Sequence, residues 1–146
     1  MRKRGFTLIE LLVVLSLVAI LASISVVSHG HMRPALDLYA AARQVLIDLK
    51  TVRTRAIGDT ANHRILFAAG SNQYRLQRRG DTQYDDVGEP IALPKGVVVV
   101  DCSATDGSIT FRPRGNASSF GTITLAGTDG QIRRVVVDMV GHMRVQ

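Results

Sequence analysis

An apolar segment near the N-terminus constrains this chain more than any other feature. It covers residues 6–27, and Leu, Ile, Val and Ala dominate it. A helix of that length extends about 33 Å, which is enough to cross the hydrocarbon core of a bilayer. A helix also satisfies its own backbone hydrogen bonds in lipid. We therefore expect residues 6–27 to form a membrane-spanning helix.

The residues that flank the apolar segment set its expected orientation. Arg2-Lys3-Arg4 precede it, and basic residues favour the cytoplasmic side, so we expect a cytoplasmic N-terminus with the rest of the chain exported. The alternative is a conventional secretory signal, which also has basic residues before an apolar core. Such a core is usually shorter, and Ala19, Ala22 and Ser23 match a cleavage site only loosely. The anchored helix is therefore the favoured interpretation.

Glu10 is the one full charge inside the apolar segment. A carboxylate in a membrane helix costs a few kcal/mol near the bilayer centre and less near the interface, so such residues are usually functional. The helix dipole explains why a first-turn acid is tolerated, but not why a cleavable-looking Gly5-Phe6 junction stands beside it. Cleavage there would leave an α-amine on Phe6. Pairing of that amine with Glu10, within or between subunits, would set the register of packed helices.

Residues 2–14, RKRGFTLIELLVV, carry a family resemblance. They resemble the class III leader and N-terminal helix of type IV pilins and type II secretion pseudopilins, and the resemblance extends to about residue 27. It implies that residues 1–5 are a leader, that a prepilin peptidase cuts between Gly5 and Phe6 and methylates Phe6, and that Glu10 registers subunits in a filament. The implied partners are that peptidase, other major and minor pseudopilins or pilins, the inner-membrane assembly platform and the lipid bilayer.

A second helical pattern covers residues 36–57. Apolar side chains recur there at spacings of three and four residues, which predicts an amphipathic helix with one apolar stripe. The stripe consists of Leu38, Ala42, Val45, Leu49, Val52 and Ala56. Gly58 is a suitable C-terminal stop. We expect the stripe to pack against a sheet.

Two further expectations concern this helical region. Pro34 cannot donate a hydrogen bond to the carbonyl of Gly30, so a kink is predicted between the apolar segment and the amphipathic helix. The basic residues beside the stripe are expected to form a solvated face. They are Arg43, Lys50, Arg53 and Arg55.

Beyond Gly58, short β-prone segments alternate with turn signals. Strands are predicted near 63–68, 73–77, 97–101, 108–112, 121–126, 131–138 and 142–145. Their spacing suits antiparallel hairpins, and residues 78–96 form the longest irregular stretch, a candidate partner-binding loop. The predicted class is α+β, the pilin fold: a long N-terminal helix, membrane-spanning over 6–27 and amphipathic over 28–58, packed on a periplasmic antiparallel sheet domain of residues 59–146.

Composition argues against several functions. The net charge is +6, but three of the 18 basic residues precede Gly5, which leaves 15 against 12 acidic residues and a net charge of +3. The high pI alone therefore does not indicate nucleic-acid binding. Cys102 is the only cysteine, so no intramolecular disulfide forms, and we expect it buried and inert in a strand. His29 and His31 do not share a helix face. No metal, cofactor or enzyme motif is predicted.

Scattered residues in 41–43, 55–57, 111–115 and 141–144 resemble the GspH/FimT branch of pseudopilins. Some members of that branch take up DNA, with a Gly-Arg-x-Arg ending implicated, whereas here His142 replaces the first arginine. The candidate DNA contacts are Arg112, Arg114, Arg133, Arg134 and Arg144. Adjacent strand residues point to opposite faces, so Arg133 and Arg134 cannot form one patch unaided. Ordinary solvated arginines are the favoured interpretation.

Three functions remain open at this stage. The favoured one is a minor pseudopilin or pilin subunit of a type II secretion system or type IV pilus, held in the inner membrane and later built into a filament or its tip. The second is a DNA-binding minor pilin that acts in DNA uptake. The third is a secreted soluble protein with a conventional signal.

Overall fold

The computed structural model describes the backbone of residues 7–146 and the side chains of residues 7–22 and 34–146. The chain divides into two compact units, Met1–Arg33 and Pro34–Gln146. One helix, α1 (Leu8–Gly58), contains Pro34 and contributes residues to both units. The predicted kink involves Gly30, which lies outside the residues with described side chains, as do His29 and His31. The kink stays a prediction.

In the first unit, α1 begins with a side-chain cap. Thr7 Oγ1 accepts a hydrogen bond from the backbone N–H of Glu10 at 3.3 Å, and the Thr7 carbonyl accepts one from Leu11. Threonine followed three residues later by glutamate is the capping-box pattern, which satisfies free amides of the first helical turn. The large apolar side chains between Leu8 and Leu21 are exposed in this unit.

Among the described residues, no helix is both long and apolar enough to cross a membrane. The predicted span of residues 6–27 extends beyond them, because Phe6 and the side chains of residues 23–27 lie outside the description.

In the second unit, the predicted stripe of α1 forms the centre of the core. All six stripe residues are buried, together with Ala41. They share one hydrophobic cluster with buried residues of the strands, such as Ile65, Phe111 and Leu125. The stripe prediction is therefore confirmed, and the helix packs on sheet as expected.

Six strands form the first antiparallel sheet, sheet A. They are β1 (His63–Phe67), β2 (Gln73–Arg79), β3 (Tyr84–Asp86), β4 (Ile91–Ala92), β6 (Ser108–Phe111) and β7 (Ala117–Ser119). Their order is β3-β2-β1-β6-β7, and β4 also pairs with β2. On β1, His63, Ile65 and Phe67 face the core while the residues between them are only partly buried.

Four strands form the second antiparallel sheet, sheet B. They are β5 (Val98–Cys102), β8 (Gly121–Ala126), β9 (Ile132–Val137) and β10 (Met143–Val145), in the order β10-β9-β8-β5. A register shift between Val99 and Asp101 marks a bulge in β5. A short 3₁₀ turn, Thr105–Gly107, leads from β5 into β6.

A polar link fastens α1 to sheet A. The buried hydroxyl of Tyr74 donates a hydrogen bond to the carboxylate of Asp48 on the helix. Gln44 donates to the Tyr74 hydroxyl and to the carbonyl of Ala92, both at 3.3 Å. Burial raises the pKa of Tyr74, so the phenol stays protonated and keeps its donor role.

The sheet departs from the sequence expectation in three places. Residues 78–96 were predicted to be irregular, but they contain β3 and β4, and both strands pair with β2. Strand β3 pairs over Gln77↔Asp86 to Arg79↔Tyr84, and β4 pairs at Gln73↔Ala92. Strand β7 was also missed. These strands have two or three residues each, too few for an alternating pattern to identify them. Cys102 ends β5 half-buried rather than buried, and burial raises the pKa of its thiol.

Candidate functional site

The predicted N-terminal site is only partly described. Gly5 and Phe6, the predicted cleavage and methylation residues, lie outside the described residues. Glu10 lies in the first turn of α1 and is exposed. Its backbone amide is bonded to Thr7, and no ion pair with another described residue engages its carboxylate.

The five candidate arginines are all exposed, but they do not form one patch. Arg112 and Arg114 lie in the turn between β6 and β7. On β9, Arg133 pairs in register with the buried Leu125, and Arg134 pairs with the next residue of β8, Thr124. Arg133 and Arg134 therefore point to opposite faces of sheet B, as predicted.

Strand register brings two of the arginines together. Arg144 on β10 pairs with Val136, and Arg134 exchanges backbone hydrogen bonds with Gln146. Arg134 and Arg144 are thus diagonal neighbours on the outer face of sheet B, a separation that long side chains can reach across. Arg133 points to the opposite face of sheet B and therefore does not belong to this pair.

Two glycine turns meet at Arg53, a residue that sequence analysis assigned to a solvated face. That assignment is wrong: Arg53 is half-buried, and its Nε donates a 2.7 Å hydrogen bond to the carbonyl of Gly115. Gly115 and Gly141 have φ angles of +80° and +90°, and a Cβ on Gly141 would lie 2.6 Å from the Gly115 oxygen. Arg53 follows Leu49 of the stripe by one helical turn, which is the one signal that sequence offered for its burial.

A cleft of about 390 Å³ opens beside this junction, between α1 and the start of β10. Its lining residues are Lys50, Arg53, Gly141, His142 and Met143. None of these described lining residues is acidic. The nearby Asp138 instead accepts a 2.8 Å hydrogen bond from the backbone N–H of His142, which lowers the pKa of the Asp138 carboxyl.

The described residues contain no group of three or more side chains arranged to hold a metal ion.

Two family models match this chain, one at its N-terminus and one over most of the remainder. Residues 1–26 match the prokaryotic N-terminal methylation motif. Residues 41–141 match the family described as Type II transport protein GspH. This second match covers more than half of the chain, which therefore belongs to the GspH family. No curated protein sequence matches the chain.

Solved structures share the fold. The minor pseudopilin EpsH from the type 2 secretion system of Vibrio cholerae superposes with a TM-score of 0.63 at 12% identity, over 75% of this chain and 96% of that one. The type IV minor pilin FimU of Pseudomonas aeruginosa gives a TM-score of 0.60 at 12% identity, over 77% and 90% of the two chains. At such low identity these likenesses establish the fold alone.

Family and fold confirm two of the sequence predictions. The resemblance to type IV pilins and pseudopilins of the GspH/FimT branch is confirmed, and so is the α+β pilin-like fold. Members of this family are filament subunits rather than enzymes, so membership classifies the chain as a non-enzymatic subunit.

Proposed function

We propose that the chain is a minor subunit of a type II secretion pseudopilus or a type IV pilus. A prepilin peptidase removes residues 1–5 between Gly5 and Phe6, and the new amine of Phe6 is methylated. The observation that carries the proposal is the presence of both matches on one chain, the methylation motif over residues 1–26 and the GspH family over residues 41–141.

The apolar N-terminal helix gives the subunit two successive environments. The exposed Leu, Ile and Val side chains between Leu8 and Leu21 need a non-aqueous surrounding. The lipid bilayer provides it first, with the N-terminus in the cytoplasm and the sheet domain in the periplasm. After extraction by the inner-membrane assembly platform, the helices of other major and minor subunits provide it in the filament or at its tip.

Glu10 sets the register of that packing. Its carboxylate has no ion pair among the described residues, and burying an unpaired carboxylate between helices would cost several kcal/mol. The methylated amine of Phe6, from the same or a neighbouring subunit, supplies the opposite charge. When the amine belongs to a neighbouring subunit, only one axial offset between the two helices satisfies both groups.

Replacement of Glu10 tests this mechanism. We expect Glu10→Ala to insert in the membrane normally but to be absent from filaments, as measured by immunoblots of membrane and sheared-filament fractions. Ser16→Ala is the matched control, since the Ser16 hydroxyl bonds to the Val13 carbonyl of its own helix at 2.8 Å. Incorporation of the Glu10→Ala subunit at the wild-type level would contradict the proposal.

Mass spectrometry of the mature N-terminus tests the processing step separately. A chain that starts at methylated Phe6 is expected. A start at Ser23 or later would instead identify a conventional secretory signal, and retention of residues 1–5 in assembled material would exclude the proposed maturation.

DNA binding is the second candidate function, favoured by the shared outer face of Arg134 and Arg144. A few phosphate contacts produce salt-sensitive, sequence-independent affinity. Gel shifts of residues 34–146 across a salt series test it, with Arg134→Gln and Arg144→Gln expected to weaken binding and Arg133→Gln as the matched control on the opposite face. Absence of any retardation at low salt would remove this function.

A further inference from the structure

Strand β10 presents an open edge of sheet B. Arg134 and Gln146 exchange both backbone hydrogen bonds, and the Asp138 amide donates to the His142 carbonyl. Because bonded pairs alternate in antiparallel strands, the N–H and C=O groups of Met143 and Val145 point away from β9. No described residue forms a backbone hydrogen bond with them. These groups form a row of unused donors and acceptors.

The other edge of the same sheet is covered. The Gly70 amide donates to the Val99 carbonyl of β5, and the Val99 amide donates to the Ser71 carbonyl, both at 2.8 Å. Proteins usually protect exposed strand edges because an open edge pairs with other extended chains. Within this one sheet, the edge strand β5 is therefore covered by hydrogen bonds with residues 70 and 71, whereas the edge strand β10 is open.

The cleft of about 390 Å³ lies directly beside the start of β10. Its strand wall is formed by the β10 hairpin, with the half-buried Met143 side chain packed against the core. Its helix wall carries Lys50 and Arg53 one helical turn apart. The cleft and the open edge share Met143, so backbone groups that can pair with an extended chain lie next to two cations that can bind a carboxylate.

Arg53 is held in place for such a contact. Its Nε is fixed by the Gly115 carbonyl at 2.7 Å, and the lack of a Cβ on Gly141 leaves room for the guanidinium. No ion pair with a described residue uses the other guanidinium nitrogens. A fixed guanidinium loses little conformational freedom when it binds a carboxylate, which strengthens the interaction.

We propose that this cleft binds an extended acidic segment of a partner protein, which adds a strand to β10 and places a carboxylate between Lys50 and Arg53. Charge complementarity selects an acidic segment, and the open backbone edge selects a polypeptide over a nucleic acid, which has no strand to pair. This is the strand-addition mode of peptide recognition. The site lies in the second unit, Pro34–Gln146, and does not depend on Glu10 or on leader cleavage.

Amide hydrogen exchange by NMR tests the proposal on the full chain in detergent micelles. The probe is the acetylated, amidated peptide TVDVTV. At saturation we expect exchange at the Met143 and Val145 amides to slow by roughly tenfold or more, while the Arg144 amide, already bonded to β9, changes little. This alternation is specific to strand addition.

Matched peptides and variants separate the two components of recognition. The peptide TVNVTV, and TVDVTV methylated at every second amide, are both expected to bind roughly tenfold more weakly or worse. Lys50→Gln should weaken TVDVTV binding similarly, whereas Lys95→Gln, exposed outside the cleft, should leave it unchanged. Equal binding of the methylated peptide, unaltered exchange at Met143 and Val145, or binding of a six-nucleotide oligothymidylate in place of the peptide would each overturn the proposal.

Discussion

His63 is a buried ionisable residue that no sequence pattern predicted. It opens β1 with 3% of its surface exposed, and its Nε2 lies 2.9 Å from the Asp59 carboxylate. Burial lowers the pKa of His63 below 6.5, and Asp59 opposes that effect only in part. Arg78 and Arg55 lower the pKa further.

This lowered pKa predicts a pH dependence of stability. Between the folded pKa and 6.5 the unfolded chain binds more protons than the folded one, so the free energy of unfolding decreases as pH falls through that interval. Asp86 and Asp138 have pKa values below 3.8 and affect a more acidic range. We expect urea unfolding of residues 34–146 to show decreasing stability from pH 7 to pH 5.

The matched variants are His63→Gln, which should remove most of this slope, and His142→Gln, a control substitution at an exposed histidine. If the free energy of unfolding of His63→Gln depended on pH as strongly as that of the wild type, groups other than His63 would cause the pH dependence.

At the element scale, the β6–β7 and β9–β10 turns are held together through α1. Gly115 and Gly141 are in contact, and Arg53 reaches both turns from the helix. Both glycines adopt positive φ angles, where a side chain is strained. At Gly141 a side chain would also collide with backbone, which cannot move aside as a flexible side chain does.

Gly141→Ala and Gly130→Ala form a matched pair of variants. Both place a side chain at a positive φ angle, but only at Gly141 would the new Cβ also collide with the backbone. Gly130 has φ of +77°, and a Cβ added there would meet no atom within 4 Å, so its substitution should cost about 1–2 kcal/mol from strain alone. Gly141→Ala should cost about 1–3 kcal/mol more, because the Cβ displaces the Gly115 turn. Equal losses in urea unfolding of residues 34–146 would show that the turns separate easily.

At the scale of the whole sheet domain, one core joins α1 to both sheets. Ala41, Ala42 and Ala56 are completely buried, so the helix backbone lies close to its neighbours and leaves no space for larger side chains. The Tyr74 link to Asp48 adds a polar constraint on the same helix. Stability of the domain therefore also depends on the small residues by which the helix faces the core.

Enlarging one alanine tests this close packing. Ala42→Leu should destabilise residues 34–146 by about 1–3 kcal/mol through overpacking, measured as a lower urea midpoint. Ala40→Leu, on the exposed side of the same helix, should have little effect. A fully stable Ala42→Leu variant would mean that the helix can shift away from the sheets.

The sequence by itself determined the N-terminal motif, the apolar stripe of α1, the longer strands and the family. Each rests on local chemistry or on a short repeat: residues 1–26 form one continuous motif, and the stripe follows the period of a helix. The opposite orientations of Arg133 and Arg134 also followed from strand geometry alone.

Only the tertiary structure decided the Arg53 junction, strands β3, β4 and β7, and the cleft at β10. Arg53 and Gly115 are 62 residues apart in the chain, and the short strands exist because β2 and β6 offer them hydrogen-bond partners. Such contacts leave no periodic signal in the sequence, because the partner residues are selected by the way the sheets pack rather than by their neighbours along the chain.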